Sequence, residues 1–181
     1  MKGAPERGRF AMLPDVAAPG LRTIICGTAA GRRSAELGRY YAGPGNKFWP
    51  VLCRAGLVPE ALAVGDEARL LGFGIGLTDL AKGVSGGDAE IPVQAYDPAR
   101  LRAFLARYRP HSFAFNGKNA ARRFLGVPRV GFGPIEHDGL PVWILPSTSG
   151  AANGAWDEGT WRAPGPCPRA IPFSLPEIPR G

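Results

Sequence analysis

The sequence predicts an α/β domain built on a mainly parallel sheet. Short apolar runs alternate with amphipathic helical stretches, the pattern of strands each followed by a covering helix. Polar or glycine-rich segments follow four of the apolar runs, at 27–31, 78–79, 116–118 and 147–150. In open parallel sheets ligands bind beyond the carboxyl ends of the strands, so these four segments are expected to share one site.

Taken in order, residues 1–20 are rich in Gly and Pro and are expected to form an arm over the surface. Arg22-Thr23-Ile24-Ile25-Cys26 reads as a buried strand ended by Gly27. Residues 32–46 are polar, with an aromatic pair at Tyr40-Tyr41. Residues 47–55 place Phe48, Val51, Leu52 and Ala55 on one helical face, with Pro50 tolerable only in the first turn. Residues 58–71 resemble another helix, and Phe73–Leu80 a glycine-broken strand that leaves Thr78 and Asp79 at its end. Lys82–Asp88 reads as a flexible loop. Asp97-Pro98 starts a helix, with Asp as the cap, Pro at the first position and Leu101, Phe104, Leu105 and Tyr108 on its apolar face. Ser112–Phe115 is a strand, followed by a helix through Leu125, and Val142–Leu145 is the last core strand. Prolines at 164, 166, 168, 172, 176 and 179 mark the end as an extended tail. The expected organisation is an arm over 1–20, one domain over 21–162 and a tail over 163–181.

Composition narrows the function classes. The 181 residues are 45% hydrophobic and 20% charged, enough for one soluble domain with a real core. There is no long apolar span and no signal-peptide core, so a cytoplasmic location is expected. Cys26, Cys53 and Cys167 lack CxxC spacing, and the only histidines are His111 and His137, which argues against a disulfide framework and a zinc site. No metal or other cofactor is expected. The net charge of +7 favours an anionic partner, of which nucleic acid is the commonest.

Three segments are candidates for chemistry. Small residues in Gly27-Thr28-Ala29-Ala30-Gly31 let backbone N–H groups approach a phosphate or the carbonyls of a base, although the string is neither GxGxxG nor a P-loop. In Tyr40-Tyr41-Ala42-Gly43-Pro44-Gly45-Asn46-Lys47-Phe48-Trp49, Tyr41 is placed to stack on a base. Phe48 and Trp49 read as core, and Asn46 either caps the helix or orients water or a base edge. Hydroxyls and N–H groups in Pro146-Ser147-Thr148-Ser149-Gly150-Ala151-Ala152-Asn153 suit phosphate oxygens, or else an unliganded hydrogen-bonded loop. No GxSxG surrounds Ser147 or Ser149, so a hydrolase triad is not supported.

From about Pro19 to Arg162 these segments resemble, in order and spacing, the mismatch-specific uracil/thymine-DNA glycosylases, with features of the hypoxanthine-type branch. Residues 27–31 stand where that family has Gly-Ile-Asn-Pro-Gly, and 40–49 where it has an aromatic-Ala-His-Pro-x-Asn-Arg-Phe-Trp stretch. Gly76-Leu77-Thr78-Asp79-Leu80, Ala114-Phe115-Asn116-Gly117-Lys118 and Leu145-Pro146-Ser147-Thr148-Ser149-Gly150 match its remaining motifs. The resemblance implies a three-layer α/β/α fold and a monomeric, monofunctional enzyme of base-excision repair. Such an enzyme flips a damaged nucleotide out of DNA and releases its base without a cofactor. It also implies that Tyr41 stacks on the flipped base, that Thr28, Ala29 and Ala30 line its pocket, and that Ser147, Ser149, Ala151 and Asn153 meet the DNA. Arg32, Arg33, Arg39, Lys47 and Lys118 are candidates for phosphate contact.

The departures are specific. Where the family carries a water-positioning Asn or Asp in its first motif, this chain has Ala29. Where it carries Asn or His in the last, this chain has Ser147, and the wedge position is Ala151. Another polar residue is therefore expected to substitute. Asn46 is the first candidate and Asp79 the second, with a solvated or helix-capping acid as the alternative for Asp79; Asn116 either reads the base edge or is a structural amide. Uracil is the first expected base and hypoxanthine the next. A non-catalytic lesion-binding module on the same fold is the alternative, and an unrelated nucleotide-binding α/β protein comes third.

Overall fold

The computed structural model describes residues 12–162. Five strands form one sheet in the order β2-β1-β3-β5-β4. They are β1 (Thr23–Gly27), β2 (Ile75–Asp79), β3 (Ser112–Asn116), β4 (Gly133–His137) and β5 (Leu140–Leu145). The β1–β2, β1–β3 and β3–β5 pairs are parallel, and only β4 runs antiparallel, on the edge beside β5. This is the mainly parallel α/β architecture expected from the sequence.

Side chains alternate across the pleat and divide the core in two. Ile25, Leu77, Ala114 and Leu145 face one side, where they meet Phe48, Val51 and Leu52 of α2 (Phe48–Arg54), Leu70 of α3 (Glu67–Gly72) and Trp161 of α6 (Glu158–Arg162). Ile24, Cys26, Phe113, Phe115, Val142 and Ile144 face the other. There they pack on Leu101 and Phe104 of α4 (Pro98–Tyr108) and Ala120, Ala121 and Phe124 of α5 (Lys118–Leu125). Helices on both faces make three layers. The helix ends follow local chemistry. Asp97 Oδ1 accepts from Arg100 N at 2.8 Å with Pro98 in the first turn, and α5 stops at Gly126 with φ 69°, a conformation that favours glycine.

Several local expectations are corrected. Residues 58–71 are not one helix: only Glu67–Gly72 is helical. Before it, Asp66 Oδ2 accepts from Ala63 N at 2.9 Å and Gly65 takes φ 105°, so Leu57, Val58 and Leu62 reach the core from irregular chain. A helix not anticipated, α1 (Arg32–Leu37), follows the first loop and ends on Gly38 with φ 65°. Strand β4 was also unforeseen. Its hairpin with β5 turns at Asp138-Gly139, both with positive φ, which is a strong hairpin dipeptide. The N-terminal arm does not merely cover the surface. Leu13 is buried, and Val16 pairs antiparallel with Leu77 through bonds of 2.9 and 2.8 Å. The proline-rich tail lies outside the described residues.

Candidate active site

The parallel pairings bring the carboxyl ends of β1, β2, β3 and β5 to one edge, with Gly27 opposite Asp79 and Asn116 opposite Leu145. A cleft of about 1030 Å³ opens there, at the upper end of the range for small-molecule sites. All four polar segments singled out in the sequence line it. The 27–31 loop is pinned from beneath by the chain leaving β2. Gly27, Thr28 and Ala30 carbonyls accept from Leu80, Ala81 and Gly86 N–H groups at 2.9, 2.8 and 3.0 Å. Thr28, Ala29 and Ala30 all face the cleft.

Tyr41 also lines the cleft, half-buried. Its backbone sits at φ 53°, uncommon for a residue with a side chain, and its ring stacks on Phe48 with centroids 3.9 Å apart and planes at 24°. Its hydroxyl is buried beside the Asn116 amide, too poorly aligned with it for a regular hydrogen bond. Burial, and then the negative charge of Asp79, push that phenol well above its ordinary pKa.

Asp79 forms the floor. It is only 3% exposed, and none of the described residues donates to its carboxylate. Desolvation raises its pKa from 3.8 to about 6, with Asp15 adding to the rise and Lys82 and Arg100 opposing it. Asn116 is differently placed. Its Nδ2 donates to Thr148 Oγ1 at 2.8 Å and its Oδ1 accepts from Thr148 N at 2.9 Å, so the amide clamps the last loop to β3. Asn46 Oδ1 accepts from Phe48 N at 2.9 Å, an Asx turn one residue ahead of the Lys47 cap of α2, although the residue lines the cleft.

The last segment packs beside the second. Lys47 N donates to Thr148 O at 2.9 Å, and a β-carbon on Gly150 would lie 3.3 Å from Pro44 O. Ser147, Ser149 and Ala151 line the cleft; Asn153 does not, and its Oδ1 accepts instead from Lys47 Nζ. Of the basic candidates at the cleft, Arg32 pairs with Glu90 and Arg33 with Glu36, while Lys118 lies over the Phe132 ring at 3.9 Å. Arg39 pairs with Glu67 and is not among the lining residues. Arg122 and Arg129, not singled out in the sequence, add charge to the rim.

Two further residues escaped the sequence reading. Thr148, fully buried, is the partner of Asn116; it stood in a Ser-Thr-Ser string in which the outer hydroxyls drew attention. Asp88 reaches the cleft from the loop after β2, beside Thr28 and Asn119, and partial burial raises its pKa. Nothing local to the sequence joins Asp88 to residues 28 and 119. Among the described residues no group of three His, Cys, Asp or Glu side chains gathers to hold a metal ion, and no helix is long and apolar enough to cross a membrane.

Residues 14–162 match the family model of the uracil DNA glycosylase superfamily. The chain belongs to that superfamily. Its fold is similar to a solution NMR structure of a candidate uracil DNA glycosylase from Methanosarcina acetivorans. The TM-score is 0.59 at 23% identity, over 85% of this chain and 94% of that one. Superfamily membership supports a DNA glycosylase role, with DNA as the substrate.

Proposed function

We propose that this chain is a monofunctional DNA glycosylase that hydrolyses the N-glycosidic bond of a flipped base. Uracil is the first substrate and hypoxanthine the second, and Asp79 replaces the missing first-motif Asn or Asp. The subtype that fits its motifs is the mismatch-specific uracil/thymine type with hypoxanthine-type features. The observation that carries the role of Asp79 is its carboxylate, buried at the cleft floor and free of donors among the described residues. Asn46, the other substitute, already spends its oxygen on Phe48 N.

In this reading the base stacks on Tyr41, held against the Thr28–Ala30 loop. The C1′–N bond breaks and its electron pair leaves with the base, whose negative charge backbone N–H groups stabilise. Water adds to the oxocarbenium-like C1′ and loses its proton to the Asp79 carboxylate. Strand cleavage is not expected: among the described residues, Lys82 Nζ is held by the Leu13 carbonyl, the Tyr40 hydroxyl and Asp15, and Lys118 Nζ lies over the Phe132 ring. Ser147, Ser149 and Ala151 meet the DNA strand from the opposite wall, with Lys118, Arg32 and Arg33 nearby.

Base release from oligonucleotides carrying uracil, hypoxanthine, G·U and G·T tests the proposal. Asp79→Asn is expected to slow release of the preferred base by about two to four powers of ten. Full activity in both Asp79→Ala and Asn46→Ala overturns the substitution. The small side chains of Ala29 and Ala151 favour a second reading, a lesion-binding module. Lesion-selective binding without base release over long incubation supports that reading instead.

A further inference from the structure

Three charged residues from three separate parts of the chain surround Asp79. Lys82, in the loop after β2, donates to the Leu13 carbonyl and the Tyr40 hydroxyl at 3.0 Å each and pairs with Asp15 Oδ1 at 2.6 Å. Arg100, on α4, has Nη1 3.3 Å from Asp15 Oδ2 and Nη2 3.3 Å from Thr78 Oγ1, and it also donates to the Asp79 backbone carbonyl. Asp15 comes from the N-terminal arm, is held there by the Val16–Leu77 pairing, and accepts from Thr78 Oγ1 at 2.7 Å. One cation thus sits on each oxygen of Asp15, and neither bonds the Asp79 carboxylate one residue beyond Thr78.

We propose that Asp15 is a positioning residue for Asp79: by holding Lys82 and Arg100 as its own partners, it keeps both cations from closing onto the Asp79 carboxylate. A carboxylate locked in an ion pair would have its lone pairs occupied and would be a poor acceptor for water or a base N–H. Asp15 prevents this in two ways, by geometry and by adding a second negative charge that offsets part of the cations' field. The other titratable groups facing Asp79 are the Cys26 thiol from β1 and the Tyr40 and Tyr41 phenols from the loop before α2. Burial keeps all three neutral, so the charge balance at Asp79 is set by Asp15, Lys82 and Arg100.

The effect on base release rests on the catalytic reading of Asp79; the effect on its titration does not. The test is carboxyl-carbon NMR titration of the full chain, with the Asp79 signal assigned from Asp79→Asn, run beside a pH profile of base release. Asp15→Asn is expected to lower the Asp79 midpoint from about 6 toward the ordinary carboxylate range. It is also expected to move the acid limb of the profile in the same direction. Normalised to its own plateau, activity at pH 5 rises by up to about tenfold, because one pH unit below the midpoint leaves about a tenth of the group ionised. The plateau above about pH 7 falls below that of the parent protein, because an ion-paired carboxylate is the poorer acceptor. A role for Asp15 in stability alone lowers the melting temperature and leaves the midpoint in place, which overturns the proposal. A midpoint that falls while the activity profile stays fixed supports the positioning role and overturns the catalytic reading of Asp79. Should Asp15→Asn not fold, Lys82→Gln is the second variant. Removing that cation must raise the Asp79 midpoint, and a fall or no change overturns the proposal.

Discussion

Oδ1 of Asp79 lies 2.5 Å from where a β-carbon on Gly27 would stand. The Tyr41 hydroxyl is 3.4 Å from the same point. The missing side chain at the end of β1 is therefore what leaves room for the Asp79 carboxyl at the cleft floor, with the Tyr41 hydroxyl on the same side of Gly27. Gly27→Ala must displace Asp79 or bend β1, because real β-carbons do not approach an oxygen that closely. The expected outcome is a loss of about 1–3 kcal/mol in stability from overpacking, with base release falling toward the level of Asp79→Asn. Urea denaturation and a glycosylase assay on the same preparation measure both.

Tyr41 separates ring from hydroxyl. The ring is backed by Phe48 and is the stacking surface in the proposed function, while the hydroxyl is buried beside the Asn116 amide. Tyr41→Phe removes a buried and poorly satisfied polar group, so stability is expected to change by no more than about 1 kcal/mol, with base binding retained. Tyr41→Ala removes the stack and is expected to weaken binding of the lesion by about 1–3 kcal/mol. Equal loss in both variants would assign the effect to the hydroxyl.

Asp79 has a stability signature with a definite sign. Its folded-state pKa is raised from 3.8 to about 6, so the neutral form fits the folded protein better than the charged one. Folding is unpenalised below pH 3.8, and stability drains away as pH rises through about 6. At pH 8 the ionised group costs about 3 kcal/mol, from about two pKa units. Asp79→Asn is expected to recover much of this at pH 8 and little at pH 4, while losing activity. Such a trade is common where a buried charge serves function. Denaturation midpoints of both proteins across pH check the sign.

Asn116 joins β3 to the last loop through two bonds with Thr148. Asn116→Ala leaves the Thr148 N–H and hydroxyl unpaired in a buried site, at a cost of about 1–3 kcal/mol. Loosening Ser147–Ala151 is expected to raise KM for DNA more than it lowers kcat. Steady-state kinetics on a uracil-containing duplex distinguish this from a direct contact with the base, which would depress kcat as well.

The sequence by itself determined the sheet's core strands and the place of the site. Apolar runs such as Ile24-Ile25-Cys26 and Phe113-Ala114-Phe115 can only be buried strands between two helical layers, and the polar segments after them must then share an edge. Helix signals confined to a few neighbours, such as Asp97-Pro98, were equally legible. The Asp138-Gly139 hairpin carried a local signal too, which the glycine- and proline-broken run before it obscured. Tertiary structure alone decided which polar residue is free and which is spoken for. Asn46, Asp79 and Asn116 are comparable as letters. Hydrogen bonding in space commits Asn46 to Phe48 and Asn116 to Thr148, and leaves the Asp79 carboxylate without a donor among the described residues. Likewise Asp15, in an arm that read as surface covering, meets Lys82 and Arg100 only because Val16 pairs with β2. Strand and helix follow from the period of neighbouring side chains, whereas the state of a buried carboxyl depends on charges dozens of residues away, which only packing brings within a few ångströms.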